Sequence, residues 1–274
     1  MTGGEDGLDH VSVCSHSVPK ASLPTTVAGH AERMTPGFSV SKPFGPGPFP
    51  VALQLHGCAG AQPFQKAYAA EAVKAGFAVV IVDSFGPRGM SRLDGSLLVC
   101  TGATLRGAQR AADLYAVMHW LRGQGWADAS RVVAAGWSHG GWTIMDAMAQ
   151  GEGAARMTGL RDAGPDLLKG VLGTFLVYPY AAFPSLTSAR GWQGARPKVF
   201  AVLGGKDAVV GVRHPQTALE RLRRDGLSVE ALVFADATHA FDDNDANDPR
   251  TRYRPDLSQQ AREFYVKALR AAVG

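Results

Sequence analysis

Three residue types in this 274-residue chain stand where nucleophilic catalysis would need them, each just after a short apolar run. Ser138 lies in Gly136-Trp137-Ser138-His139-Gly140, followed by Gly141, which fits the G-x-S-x-G nucleophile elbow. Residues 131–135 read as a short buried strand and residues 142–149 as a helix, so the motif has the strand, sharp turn and helix that it requires. The glycines let the chain turn sharply where flanking side chains would clash. A helix N-terminus behind the serine aims backbone N–H groups at developing negative charge. The plain alternative is a glycine-rich turn with an incidental serine.

A serine hydroxyl needs a base. His239 follows the apolar run 229–234 and is the best candidate, its alternative being a surface-loop histidine. His10, His16 and His30 fall in a polar arm, His119 on a helix face and His214 at a helix start. The base needs a carboxylate to orient it and to stabilise its charged form. Asp207, in Gly204-Gly205-Lys206-Asp207, ends the preceding strand. Asp236 is the rival, but only three residues before His239 it suits a turn cap better. An oxyanion hole needs two N–H donors, expected from His139 and from Cys58 in His56-Gly57-Cys58-Ala59-Gly60. The ring of His56 is expected to brace this loop, and Cys58 to be a packed side chain rather than a second nucleophile.

The elements that position these residues alternate along the chain. Strands are expected at 51–55, 77–82, 131–135, 171–177, 198–203 and 229–234, and helices near 64–75, 104–122, 142–149, 215–225 and 257–272. Continuous apolar strands alternating with helices predict an α/β fold, a mostly parallel sheet with helices on both faces. Its active site is expected beyond the carboxyl ends of the strands. Residues 1–35 read as an irregular arm and 36–274 as one domain.

Composition is that of an ordinary globular protein, 46% hydrophobic and 19% charged. The net charge of +4 is scattered, with Arg221, Arg223 and Arg224 on a helical face, which argues against a nucleic-acid partner. No apolar run suits a membrane span. Residues 1–20 lack a basic start and an apolar core, so a cytoplasmic location is expected, a trimmed secreted or periplasmic form being the alternative. Cys14, Cys58 and Cys100 do not fit metal-ligand spacing. Cys58 and Cys100 could pair in an oxidising compartment, and free thiols are the alternative.

The set His56-Gly57-Cys58-Ala59-Gly60, Asp83-Ser84-Phe85-Gly86-Pro87-Arg88-Gly89, Gly136-Trp137-Ser138-His139-Gly140-Gly141, Gly205-Lys206-Asp207 and Thr238-His239-Ala240-Phe241 resembles the dienelactone hydrolase family of α/β hydrolases. The resemblance spans roughly residues 38–272. It implies the α/β-hydrolase fold and hydrolysis of a carboxylic ester or lactone through an acyl-enzyme, with no cofactor and no metal. Where that family has a cysteine nucleophile this chain has Ser138, and the family's early-loop glutamate has no counterpart, so a general esterase is the sharper expectation.

Arg88 could hold a substrate carboxylate through a bidentate fork, or brace its own loop. Tyr178, Tyr180, Phe183 and Trp192 could wall the pocket or pack locally. Two other functions compete. One is a serine peptidase of the prolyl-oligopeptidase type, although such enzymes carry a propeller for which this chain has no room. The other is a catalytically silent binding module, against which the complete Ser/Asp/His set argues.

Overall fold

The computed structural model describes residues 25–274; residues 1–24, with His10, Cys14 and His16, lie outside the described residues. Seven strands form one sheet: β1 (Phe38–Ser41), β2 (Phe49–Leu55), β3 (Ala78–Val82), β4 (Ala127–Trp137), β5 (Val171–Val177), β6 (Lys198–Gly204) and β7 (Val229–Phe234). Their order is β1-β3-β2-β4-β5-β6-β7, with β1 antiparallel to β3 and every other pair parallel. The helices are α1 (Val27–Met34), α2 (Pro63–Lys74), α3 (Arg92–Asp94), α4 (Gly107–Leu121), α5 (His139–Gln150), α6 (Ala154–Thr158), α7 (Thr187–Arg190), α8 (Arg213–Arg224) and α9 (Pro255–Val273).

The sheet is apolar on both faces because helices cover both. On one face Leu53, Leu55, Val80 and Val132 pack with Val27 of α1, Leu114 and Met118 of α4, Ile144 and Met148 of α5 and Leu222 of α8. On the other, Val79, Val133, Phe175 and Val202 pack with Tyr68 of α2 and Tyr265 and Leu269 of α9. β-branched runs such as Ala78-Val79-Val80-Ile81-Val82 suit such a two-sided layer. Each fully buried Val, Leu or Phe contributes about 1.5–3 kcal/mol, so the inner strands are the most strongly held part of the chain. Their carboxyl ends are therefore rigid mounts.

Part of the expected arm is ordered helix. Residues 27–34 are α1, where the sequence suggested irregular chain. Val27, Ala31 and Met34 recur at i, i+4 and i+7 and are buried, and the Thr26 hydroxyl accepts the Gly29 N–H at 3.0 Å as an N-cap. With only three apolar positions, and Gly29 and His30 between them, the stripe is faint in the sequence. Strand β1 also went unforeseen. It is four residues long, mostly exposed, and gains its place by pairing with β3.

Candidate active site

Ser138 follows β4 directly and has φ 52° and ψ −113°, a strained conformation for a residue with a side chain. The strain is held from several sides. The Ser138 N–H donates to Val177 O at 2.9 Å, and its carbonyl accepts from Trp142 N at 3.1 Å and Tyr180 N at 3.3 Å. Two glycines make room: a Cβ on Gly136 would lie 2.5 Å from the Gly140 carbonyl, and one on Gly140 would strike Leu55 O. A side chain at Gly136 would push the start of α5 away from β4, and one at Gly140 would push it away from β2.

Beyond β6 and β7 the chain brings Asp207 and His239 to the same place. His239 Nε2 lies 3.0 Å from Ser138 Oγ, and His239 Nδ1 lies 2.8 Å from Asp207 Oδ2. The other oxygen of Asp207 accepts from Val209 N at 2.9 Å and Val210 N at 3.0 Å, which fixes the carboxylate in its turn. Both side chains are buried. Asp236 is elsewhere: it is exposed and paired with Lys206 at 2.5 Å.

The loop after β2 lies against the elbow, since a Cβ on Gly57 would sit 3.5 Å from the Ser138 Cβ. Cys58 follows on that loop, and His139 is the first residue of α5, where an N–H has no intrahelical acceptor. Arg110 of α4, fully buried, ties the two together. Its Nη1 donates to His56 O at 2.8 Å and approaches His139 Nδ1 at 3.2 Å, while Nε donates to Ser84 Oγ at 2.9 Å. Burial, then the Arg110 charge, holds both imidazoles well below their usual pKa, so His56 and His139 are neutral. His56 braces the loop, with Nδ1 2.6 Å from Gly57 O and Nε2 accepting from Ser84 N at 3.0 Å.

A cleft of about 1080 Å³ opens over Ser138 and His239. Its walls include Gln62, Phe64, Arg92, Leu93, Tyr178 and the polar run 243–248. Cys58 and Cys100 both line it and are joined as a disulfide, with Cα atoms 5.3 Å apart. No group of three or more His, Cys, Asp or Glu among the described residues is arranged to hold a metal ion, and none of the described helices is long and apolar enough to cross a membrane.

Of the substrate contacts expected from the sequence, only Tyr178 lines the cleft. Its ring lies 4.5 Å from that of His239, and its hydroxyl donates to Asp242 at 2.6 Å. Arg88 does not face substrate. Its fork is spent on buried Asp113, at 2.6 and 3.0 Å, and on Ser84 O at 2.7 Å. Burial would raise the Asp113 carboxyl, but the Arg88 charge and bonds from His30 and Arg88 hold it well below the usual range. Tyr180 instead stacks on Trp142 and donates to Phe183 O, and Phe183 is 93% exposed. Trp192 is buried, its Nε1 donating to Thr187 Oγ1. For these residues the local-packing alternative is the one seen, because a loop's course after a strand end is set by what it packs on, which residue type alone does not reveal.

Two buried groups behind the site were not foreseen. Arg110 stands three residues before Asp113 on a largely buried helix, 107–121, whose other side chains are mostly apolar, and that charge was the available signal. Asp242 accepts from Tyr68 (2.8 Å), Trp137 (3.1 Å) and Tyr178, pinning the residue before Ser138 to the cleft floor. Its burial raises its pKa, and the three donors offset part of that.

A sequence model of the prolyl oligopeptidase family matches residues 64–154, less than half of the chain. No curated protein matches in sequence. Among solved structures, a candidate dienelactone hydrolase from Klebsiella pneumoniae subsp. pneumoniae superposes with a TM-score of 0.66 at 16% identity, over 85% of this chain and 92% of that one. A dienelactone hydrolase-like promiscuous phosphotriesterase from metagenomic libraries gives 0.66 at 16% identity, over 87% and 100%. Dipeptidyl peptidase 4 of Porphyromonas gingivalis gives 0.57 at 16% identity, over 84% of this chain but 33% of that one. Sheet order, elbow geometry and these likenesses together give the chain the α/β-hydrolase fold.

Proposed function

We propose that this protein is a serine hydrolase that cleaves carboxylic esters or lactones through an acyl-enzyme. The observation that carries the reading is the unbroken run from Ser138 Oγ through the His239 ring to Asp207, at 3.0 and 2.8 Å. Those are the contacts a nucleophile, its base and the orienting acid require.

In this reading the neutral His239 Nε2 takes the hydroxyl proton as Ser138 Oγ attacks the carbonyl carbon. Asp207 holds Nδ1–H toward itself and stabilises the imidazolium that forms. The carbonyl oxygen becomes an oxyanion held by the N–H groups of Cys58 and His139. Collapse of the tetrahedral intermediate expels the alcohol, which leaves with the proton from His239. Water, activated by the same ring, then attacks the acyl-enzyme and releases the acid with Ser138 restored. Arg88 has no part, so selection for a free carboxylate is not included.

A second reading, a serine peptidase, is favoured by the prolyl oligopeptidase match over 64–154 and by the likeness to dipeptidyl peptidase 4. A panel of p-nitrophenyl esters, lactones and aminoacyl p-nitroanilides separates the two. Esters or lactones should turn over far faster than the anilides, and Ser138→Ala should lower kcat on the order of 10⁶-fold. Faster anilide cleavage would install the peptidase reading.

A further inference from the structure

We propose that the Cys58–Cys100 disulfide positions the oxyanion loop, so that turnover depends on this pair staying oxidised. The inference rests on the serine-hydrolase reading above and names a positioning pair within that site.

In that reading Cys58 supplies one of the two oxyanion N–H groups, and its sulfur is bonded to Cys100 across 42 residues of sequence. The stretch around Cys100 has little apolar hold of its own. Leu93, Leu97 and Leu98 are 66%, 60% and 42% exposed, and Val99 is the leucine- or valine-type side chain there that is buried. What holds the stretch is its attachment to the loop 57–62. Arg92 Nη2 donates to Gln62 Oε1 at 2.7 Å, and the Gln62 amide donates to Ala59 O at 2.7 Å. Gly95 lies so close to the Cys58 carbonyl and the Phe85 ring that a Cβ would strike both. The bridge is thus the covalent part of a clasp whose other parts are one side-chain hydrogen bond and one backbone contact.

The loop depends on the same clasp. Its internal tie, Gly60 N to Gly57 O, is long at 3.3 Å. The other ties fall on its neighbours: Arg110 holds His56 O, His56 Nδ1 lies 2.6 Å from Gly57 O, and Gln62 holds Ala59 O, so the side-chain tie at Cys58 itself is its sulfur. An oxyanion donor works only within about 2.7–3.1 Å of the developing charge. Reduction by a dithiol adds two electrons and two protons across the S–S bond, gives two thiols and leaves the dithiol as its own disulfide. It frees Cys58 to shift while Arg110 still holds both flanks of the hole. The loss is therefore partial, about tenfold in kcat, against roughly 10²–10³-fold for a deleted donor. A small ester should keep its KM, because the donor acts on charge present only in the transition state.

The test measures kcat and KM for p-nitrophenyl acetate with oxidised protein, with protein treated with a dithiol under native conditions, and with reoxidised protein. Ser138→Ala serves as blank, and thiols are counted after denaturation in each state. The double variant Cys58→Ser/Cys100→Ser is run alongside, its folding checked by circular dichroism. The expected result is two additional thiols and a roughly tenfold lower kcat on reduction, recovery on reoxidation, and a double variant fixed at the low rate and indifferent to dithiol. Full activity in the reduced protein would overturn the proposal, as would an oxidised protein that gains no thiols on reduction. If the double variant misfolds, the reversible response of the wild type still decides. Absence of Ser138-dependent hydrolysis in the oxidised protein would sink the parent reading and this one together, whereas Ser138-dependent hydrolysis indifferent to dithiol would sink this one alone.

Discussion

The cleft has two kinds of wall. On one side Ser138, Asp207 and His239 stand just past the ends of β4, β6 and β7; β4 and β6 are buried inside the sheet, and β7 is its edge strand, buried at its last residue, Phe234. On the other, residues 91–101 and 243–251 are turns and short helical pieces, rich in polar or exposed side chains. Ser138 and Asp207 are mounted on the most strongly packed part of the chain, and His239 is held to both by contacts of 3.0 and 2.8 Å, so these distances have little room to vary. The second is held by individual ties: a disulfide, Arg92 to Gln62, and Arg250 to Asp248. Under the proposed function, the contrast puts bond-making on the sheet and selectivity on the loops.

The sharpest way to break that contrast is to exchange two acids near His239. Asp207→Asn should lower kcat by about 10⁴-fold, because an amide favours the wrong imidazole tautomer. Asp236→Asn should leave kcat within about twofold, since Asp236 is 70% exposed and engages only Lys206. Steady-state kinetics on one ester decides it, and a larger loss from Asp236→Asn would place the orienting acid elsewhere.

The same division explains what the sequence disclosed. That Ser138, Asp207 and His239 would meet was legible because nucleophilic chemistry restricts the residue type at each position and the strand–turn–helix setting restricts the place. The alternation of strands and helices gave the parallel sheet for a similar reason, each apolar run having only one buried destination. Helix α1 was hidden by a stripe of just Val27, Ala31 and Met34. Arg88 was left with two readings, and Arg110 was not seen, for one reason. A guanidinium reads alike in sequence whether it meets substrate, a buried carboxylate or a loop carbonyl, and only the packing of α1 and α4 against the strand ends decides.

Arg88 gives the next test, on the loop side. Arg88→Ala leaves buried Asp113 with His30 as its remaining side-chain hydrogen-bond partner and the Arg110 charge nearby. Denaturant unfolding should show a loss of about 3 kcal/mol, the range for breaking a buried pair. The ratio of KM for an anionic to a neutral ester should not change. A rise in KM confined to the anionic ester would return Arg88 to the substrate site.

A smaller effect belongs to Asp146 of α5, which holds the loop beyond the cleft through Leu186 N at 2.8 Å and Ser185 Oγ at 3.1 Å. Burial pushes its carboxyl up to about 7. The folded chain then keeps a proton that the unfolded chain has already released. Its contribution to stability is therefore full below about pH 4 and is lost as pH rises through about 7. Between pH 6 and 8 the loss should approach about 1.4 kcal/mol. Asp146→Asn should flatten that stretch of the stability curve in chemical denaturation, and an unchanged slope would remove Asp146 as its source.

The most direct test of the central claim is to find the atom that becomes acylated. A fluorophosphonate probe, followed by intact-mass measurement and peptide mapping, should add one phosphonyl group per chain, on Ser138. Ser138→Ala should stay unmodified, with an unchanged circular dichroism spectrum. Modification of the alanine variant to the same extent, or an adduct mapped to another residue, would contradict the assignment of the nucleophile and with it the mechanism built on the Ser138–His239–Asp207 run.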